Sequence, residues 1–267
     1  KRLLFKIYTR HFFVNFNYSF FKNLSSIREK TTRLKNVTII GGGLGGLISS
    51  ILLVRAGIPC SLIEKKSYPF HRVCGEYISN EAVPFLRSFG LYPEKFSPPE
   101  INLFQLSSVT GRHAQIPLTM GGFGISRYSF DNFLFEIAKA EGVEFFLNSE
   151  VTDVSFDEEK FTIQTQRQTF ESDLVLGAFG KRSKLDINLQ RDFVKKRSPY
   201  VAVKYHIRTE HPKNLIALHN FKGGYCGISN IEDGKTNLCY LSHRDNLRTF
   251  GTIGTLEERV LCKNPIL

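Results

Sequence analysis

Apolar and polar positions alternate most tellingly near the start of the chain. An apolar, β-branched run at residues 37–40 enters a glycine turn at 41–46, and an apolar stretch of helical length follows over 47–57. A second apolar run, 60–63, ends on Glu64. Strand, tight turn, helix, strand and carboxylate in that order predict one βαβ unit. Further on, Ser79 reads as the N-cap of a helix over 80–89, closed by Gly90. Residues 92–100 are proline-rich and read as a connector. Two strand-like runs within 101–117 flank Thr110-Gly111-Arg112, a hairpin signal. Gly121-Gly122-Phe123-Gly124 reads as a flexible corner. Phe130, Phe133, Leu134 and Ile137 recur at helical spacing and predict an amphipathic helix ending at Gly142. A strand at 143–147 follows, then a meander over 151–156, 161–166 and 169–170, and a buried-type strand at 173–178. Alternation at 200–208, 215–221, 225–229 and 237–242 predicts an antiparallel sheet, and 256–262 begins another helix.

The glycine turn carries the first chemistry. Gly41, Gly43 and Gly46 have the G-x-G-x-x-G spacing, which gains meaning from the strand before it and the helix after it. Gly41 permits a sharp turn, Gly43 lets a pyrophosphate approach the backbone, and Gly46 allows close helix–strand packing. The unpaired N–H groups of the helix's first turn favour a phosphate. Glu64 stands 18 residues beyond Gly46, near the spacing of an acid that accepts hydrogen bonds from an adenosine ribose. The fold class that follows is α/β, a Rossmann-like dinucleotide-binding domain interleaved with an antiparallel-sheet substrate domain. The first domain takes residues 36–100 and 123–185. The second takes a hairpin at 101–122 and a sheet at 186–250. Residues 251–267 read as the start of a truncated helix.

Composition narrows the function classes. The formal net charge of +11 is concentrated at one end: residues 1–36 hold nine Lys/Arg and one acid, against 27 and 24 in the remainder. The body therefore lacks the basic surface that nucleic acid would require. Five scattered cysteines include no C-x-x-C pair, which argues against a zinc site or a disulfide scaffold and fits a reducing, cytoplasmic setting. His71, His113, His206 and His219 show no metal spacing and no nucleophile partner, and read as ordinary. Residues 1–35 fit a targeting peptide, a basic aromatic arm in peripheral contact with a membrane, or translated sequence upstream of the true start. The last fits best, since such a fold needs few residues before its first strand. The apolar run near residues 12–21 is too short to span a bilayer and is broken by Asn15 and Asn17.

Three segments together resemble the para-hydroxybenzoate-hydroxylase-like FAD oxidoreductases, and within them the geranylgeranyl reductase branch. They are the 41–64 fingerprint, Arg72-Val73-Cys74-Gly75-Glu76-Tyr77-Ile78-Ser79, and Asp173 through Ser183. The resemblance implies that Gly41, Gly43, Gly45, Gly46 and Glu64 hold the adenosine diphosphate half of FAD. It places Arg72 at the pyrophosphate, Cys74 and Gly75 beside the isoalloxazine, Arg127 in contact with FAD, and Val151 at the adenine. Glu76 would be a polar group at the flavin. In two places the pattern departs from the family. Phe179 stands where the second motif has an Asp, and no third, Gly-Asp motif follows the second sheet. An amino-terminal fragment of a longer enzyme is therefore expected.

The activity implied is reduction of double bonds in a prenyl or other lipid-like substrate, with NAD(P)H as a possible electron donor. Phe104, Phe123, Tyr205, Phe221 and Tyr225 would roof a pocket for a small hydrophobic or aromatic substrate. An aromatic hydroxylase and a fragment without stable flavin binding or activity are the alternatives. Absence of Trp argues against the related halogenases, whose motif needs it.

Overall fold

A computed structural model describes residues 36–181, 183–196 and 198–267, and the expectations for residues 1–35 lie outside these. In chain order, β1 (Val37–Ile40), α1 (Leu44–Arg55) and β2 (Cys60–Ile63) form the first unit of structure. After β3 (Tyr77–Ser79) and α2 (Val83–Ser88) comes the hairpin β4 (Glu100–Ser107) and β5 (His113–Gly124), then α3 (Arg127–Ala140). Next are β6 (Glu144–Phe146), β7 (Val151–Phe156), β8 (Phe161–Thr165), β9 (Thr169–Ser172) and β10 (Leu174–Gly177). Two short helices, α4 (Lys184–Asn188) and α5 (Asp192–Lys195), precede β11 (Tyr200–Ile207), β12 (Leu215–Phe221), β13 (Gly224–Asn230) and β14 (Thr236–His243). The last helices are α6 (Arg244–Phe250) and α7 (Ile253–Arg259).

The chain divides into two compact units. Among the described residues, 36–70 and 131–196 make the first, 71–130 and 198–267 the second, and one boundary falls within α3. These boundaries differ from those expected of the sequence. The segment 71–100 joins the second unit because β3 pairs with the far end of β5, Tyr77 opposite Gly124.

In the first unit a four-stranded sheet runs β10-β1-β2-β6, with β1 parallel to both β2 and β10. Strands buried on both faces explain the unbroken apolar runs, since every residue of β1 and β2 is buried. A three-stranded meander, β7-β8-β9, packs Val151, Phe161 and Ile163 against Ile40, Ile63 and Val175 in one apolar cluster. Residues Gly57 and Gly142, at positive φ, close α1 and α3 as the sequence suggests.

The second unit is a seven-stranded sheet in the order β11-β14-β13-β12-β4-β5-β3. One face is covered by α6 and α7, where Phe221, Cys226 and Tyr240 pack on Leu256, Val260 and Leu261. The helix expected to begin at 256 is thus α7, a short helix capped by Thr252 and ending at Arg259. The expected flexible corner at 121–124 is a buried part of β5. Its glycines serve close approach: a Cβ on Gly122 would lie 2.5 Å from the Ile78 carbonyl oxygen, and one on Gly124 would lie 1.9 Å from that of Asn230.

Candidate functional site

The glycine turn of the first unit is built around backbone contacts that exclude side chains. Gly41 has φ +103°, donates to the Ile63 carbonyl at 2.9 Å, and has no room for a Cβ, which would lie 2.5 Å from the Ala178 oxygen. A Cβ on Gly46 would sit 1.9 Å from the Gly41 oxygen, so the start of α1 rests directly on the turn. Gly43 is the N-cap of α1, in extended conformation, and no side chain caps it; the first turn carries no acid, and Gly45 lies half-buried within it. A helix of 12 residues thus presents an N-terminus without a carboxylate or hydroxyl of its own, which suits a phosphate.

Glu64 follows β2 directly and is 5% exposed. Its Oε2 accepts from the Gly42 amide at 2.7 Å and its Oε1 from the Lys66 amide at 3.1 Å. Two backbone donors therefore fix the carboxylate beside the glycine turn. The Tyr68 hydroxyl donates to the Gly42 carbonyl, and its ring stacks on Phe135 at 4.4 Å. Neither Gly42 nor Tyr68 stands out in the sequence. The middle glycine has no role in the G-x-G-x-x-G spacing, yet a Cβ there would meet the Tyr68 hydroxyl at 1.9 Å.

Val151 opens β7 and lies in the apolar cluster under the sheet. Phe179, in the place of the expected Asp, packs against that same cluster, with the Arg191 guanidinium 5.7 Å from its ring. The position offers an apolar ring where a carboxylate was expected. Ser183 makes a reciprocal capping box with Asp186 at the start of α4.

In the second unit, Cys74 and the Arg127 amide meet one buried acid, which directly follows Gly75. Glu76 is 2% exposed and has φ +54°. Its Oε1 accepts from the Arg127 amide at 2.9 Å and from Lys204 Nζ at 2.7 Å. Its Oε2 accepts from His206 Nε2 at 2.6 Å. The Glu76 amide in turn donates to Cys74 Sγ at 3.5 Å, and Asn237 Nδ2 donates to the Cys74 and Gly75 carbonyls at 3.3 and 2.9 Å. Cys74 and Arg72 are half-buried, and Gly75 is exposed. His206 is thus no ordinary surface histidine. The signal was present in the sequence only as Lys204 and His206 two residues apart on one strand, which puts both on the same face.

Next to this cluster the His71 ring stacks on Tyr128 at 4.6 Å and meets His206 edge-on at 5.2 Å. Burial, followed by the nearby charges of Lys204 and His206, pushes the His71 pKa down, against a smaller upward pull from Glu76. At the start of α3, Ser126 caps the helix by accepting from the Ser129 amide at 3.1 Å. The buried Glu232 accepts from the Ser126 amide at 2.7 Å and from both serine hydroxyls. Burial opposes its charge, but these hydrogen bonds outweigh it and hold the Glu232 carboxyl below its usual range.

The expected aromatic roof does not form as one surface. Phe123 and Phe221 are core residues, and Tyr205 lies on the α6–α7 face, level with Leu238. Phe104 and Tyr225 share the opposite face with Lys204 and His206. Among the described residues no group of three or more His, Cys, Asp or Glu could hold a metal ion, and no helix is long and apolar enough to cross a membrane.

The FAD binding domain family matches residues 35–215, from just before β1 to the start of β12. The chain belongs to this family. The match covers both the glycine turn with Glu64 and the Glu76 cluster, and it establishes FAD as the cofactor that this domain type holds. An uncharacterized protein of Methanosarcina barkeri is 28% identical over 150 residues, which are 54% of this chain and 37% of that protein. The crystal structure of CmlS, a flavin-dependent halogenase, superposes with a TM-score of 0.69 at 19% identity, covering 84% of this chain and 44% of that one. A flavoprotein/dehydrogenase from Cytophaga hutchinsonii gives 0.66 at 19% identity, covering 80% and 57%. These structures share the fold. The chain spans only 37% to 57% of the length of these proteins.

Proposed function

We propose that this chain is the FAD-binding part of an FAD-dependent oxidoreductase that reduces double bonds of a prenyl or other lipid-like substrate. The observation that carries the flavin reading is the uncapped start of α1 behind the Gly41 turn, with Glu64 fixed 2.7 Å from the Gly42 amide. In this reading the backbone at Gly43, Gly45 and Gly46 receives the pyrophosphate, and Glu64 accepts from the adenosine ribose. Arg72, Cys74, Gly75, Arg127 and Val151 are the further contacts that the family resemblance assigns. When bound, FAD supplies the two-electron chemistry, and the protein supplies position and electrostatics. Glu76 ties the Cys74–Gly75 segment to Lys204, His206 and the Arg127 amide, so it would hold those contacts in place.

The lipid-like substrate is supported by the face of the seven-stranded sheet that carries Lys204. There Leu106, Ile116 and Tyr225 are 46%, 54% and 39% exposed, an apolar surface on which a hydrocarbon chain could lie. NAD(P)H is the proposed electron donor. The test has two stages. Titration with FAD, followed by flavin fluorescence, should saturate with this chain or with the whole protein that contains it; no saturation with either refutes the flavin reading. The loaded protein, supplied anaerobically with NADPH and a polyprenyl lipid, should yield product two mass units heavier per reduced bond. A hydroxylated product formed only with oxygen would replace the reductase by a monooxygenase.

A further inference from the structure

In the second unit, a cavity of about 380 Å³ is bounded by His71, Tyr128, His206, Arg208, Lys235 and the Glu232–Asp233 turn. Its polar groups divide sharply by whether they are already engaged. The acceptors are occupied. Glu232 takes its hydrogen bonds from Ser126 and Ser129, and Asp233 is paired with Lys235 at 3.2 Å. Behind the wall, Glu76 is filled by Lys204, His206 and the Arg127 amide. The donors are open. Among the described residues the Arg208 guanidinium makes no ion pair or hydrogen bond, and neither does the Tyr128 hydroxyl. Arg208 extends just past β11, two residues from His206, and is exposed.

We infer that this cavity is a binding site for the acidic group of a small molecule, a carboxylate or a phosphate, with Arg208 as its principal anchor. A wall whose carboxylates are already engaged and whose guanidinium and hydroxyl are unspent has a surplus of donors. Only an acceptor-rich ligand matches it, and a guanidinium binds planar oxyanions through paired N–H groups. Tyr128 supplies a second donor on a ring already fixed by stacking against His71. The pairing of Lys235 with Asp233 cancels locally, and Glu232 is engaged by neutral donors, which leaves Arg208 as the unpaired cation of the wall. This site uses residues of the second unit alone, so it stands or falls independently of flavin binding.

Calorimetric titration of the 267-residue chain, without added FAD, tests it with two probes, inorganic phosphate and benzoate, at low ionic strength. At least one should bind saturably, and the tighter of the two identifies the ligand's acid as phosphate or carboxylate. Arg208→Gln should weaken that binding about tenfold or more, and Tyr128→Phe should weaken it by less. Arg112→Gln, which removes an exposed arginine on the β4–β5 turn, should leave it unchanged. Circular dichroism of Arg208→Gln should match the parent, because among the described residues the exposed guanidinium makes no ion pair or hydrogen bond. The inference is overturned if neither probe saturates, if Arg208→Gln binds as well as the parent, or if Arg112→Gln is equally impaired.

Discussion

The Glu76 cluster gives the sharpest test of how the second unit is held together. Glu76 and Lys204 have side chains 0% and 6% exposed, and His206 is 16% exposed. Glu76→Gln keeps the side-chain volume and leaves the strained backbone at φ +54° as it is, so the change isolates the charge. Three donors converge on the two oxygens of Glu76, from Lys204, His206 and the Arg127 amide. A glutamine offers one oxygen, and its NH2 must face at least one of those donors. Stranding one member of a buried pair costs about 3–5 kcal/mol, and the retained amide oxygen returns about 1 kcal/mol. The net loss should be about 2–4 kcal/mol. With a urea slope of about 1–3 kcal/mol per molar, the midpoint of the far-ultraviolet circular dichroism transition should fall by roughly 1 M or more. Adding Lys204→Met removes the stranded cation and should recover about half of the loss. A single variant within about 1 kcal/mol of the parent, or a double variant no better than the single, refutes the argument that this acid is the organising charge.

Glu64→Ala should weaken FAD binding by about 1.5–3 kcal/mol, the value of hydrogen bonds to a charged group; fluorescence titration checks this, and unchanged affinity removes Glu64 from the ribose. Gly46→Ala should cost about 1–3 kcal/mol or more, read as a lower melting temperature, because its Cβ would meet the Gly41 carbonyl at 1.9 Å. Glu232 has a depressed folded-state pKa, so its stabilisation is complete above the unfolded carboxylate value and is lost as pH falls through the lower native value. Ser129→Ala should therefore move the acid unfolding midpoint to higher pH. Burial pushes the thiols of Cys60 and Cys226 up to about 12, whereas Cys262 is exposed. A maleimide at pH 8 should label Cys262 in the folded protein and spare the other two, as peptide mass spectrometry would show.

The elements most legible in the sequence are those whose signal is local. The βαβ unit, the β4–β5 hairpin and the four strands of β11 to β14 all follow from apolar runs, period-two alternation and turn residues. The division into units was less legible, because β3 is only three residues long and its partner lies at the far end of β5. Nothing within Tyr77–Ser79 announces that pairing. The 121–124 segment shows a related limit. A glycine cluster signals either freedom or close approach, and only the neighbours decide. Here Gly122 meets the Tyr77 ring and Ile78, and Gly124 meets Asn230, so the glycines thin a strand to admit neighbouring segments of the same chain.

The candidate site divides along the same line. Its first-unit part is contained in 28 consecutive residues, 37–64, and a spacing rule can find Gly41, Gly46 and Glu64 there. Tyr68 escapes the rule because its hydroxyl acts on Gly42 through the fold, outside the motif. In the second unit the partners stand far apart in sequence: Glu76 meets Lys204 across 128 residues and His206 across 130, and Ser126 meets Glu232 across 106. Each of these side chains alone reads as a surface charge or an ordinary polar group. Burial turns them into a site, because a carboxylate taken out of water must collect donors wherever the sheet brings them. In this unit, then, the lasting information is in the pairing of β11 with β14 and in the return of Glu76 to the Arg127 amide. The acceptors that these contacts consume are what leave Arg208 and Tyr128 as unspent donors beside them.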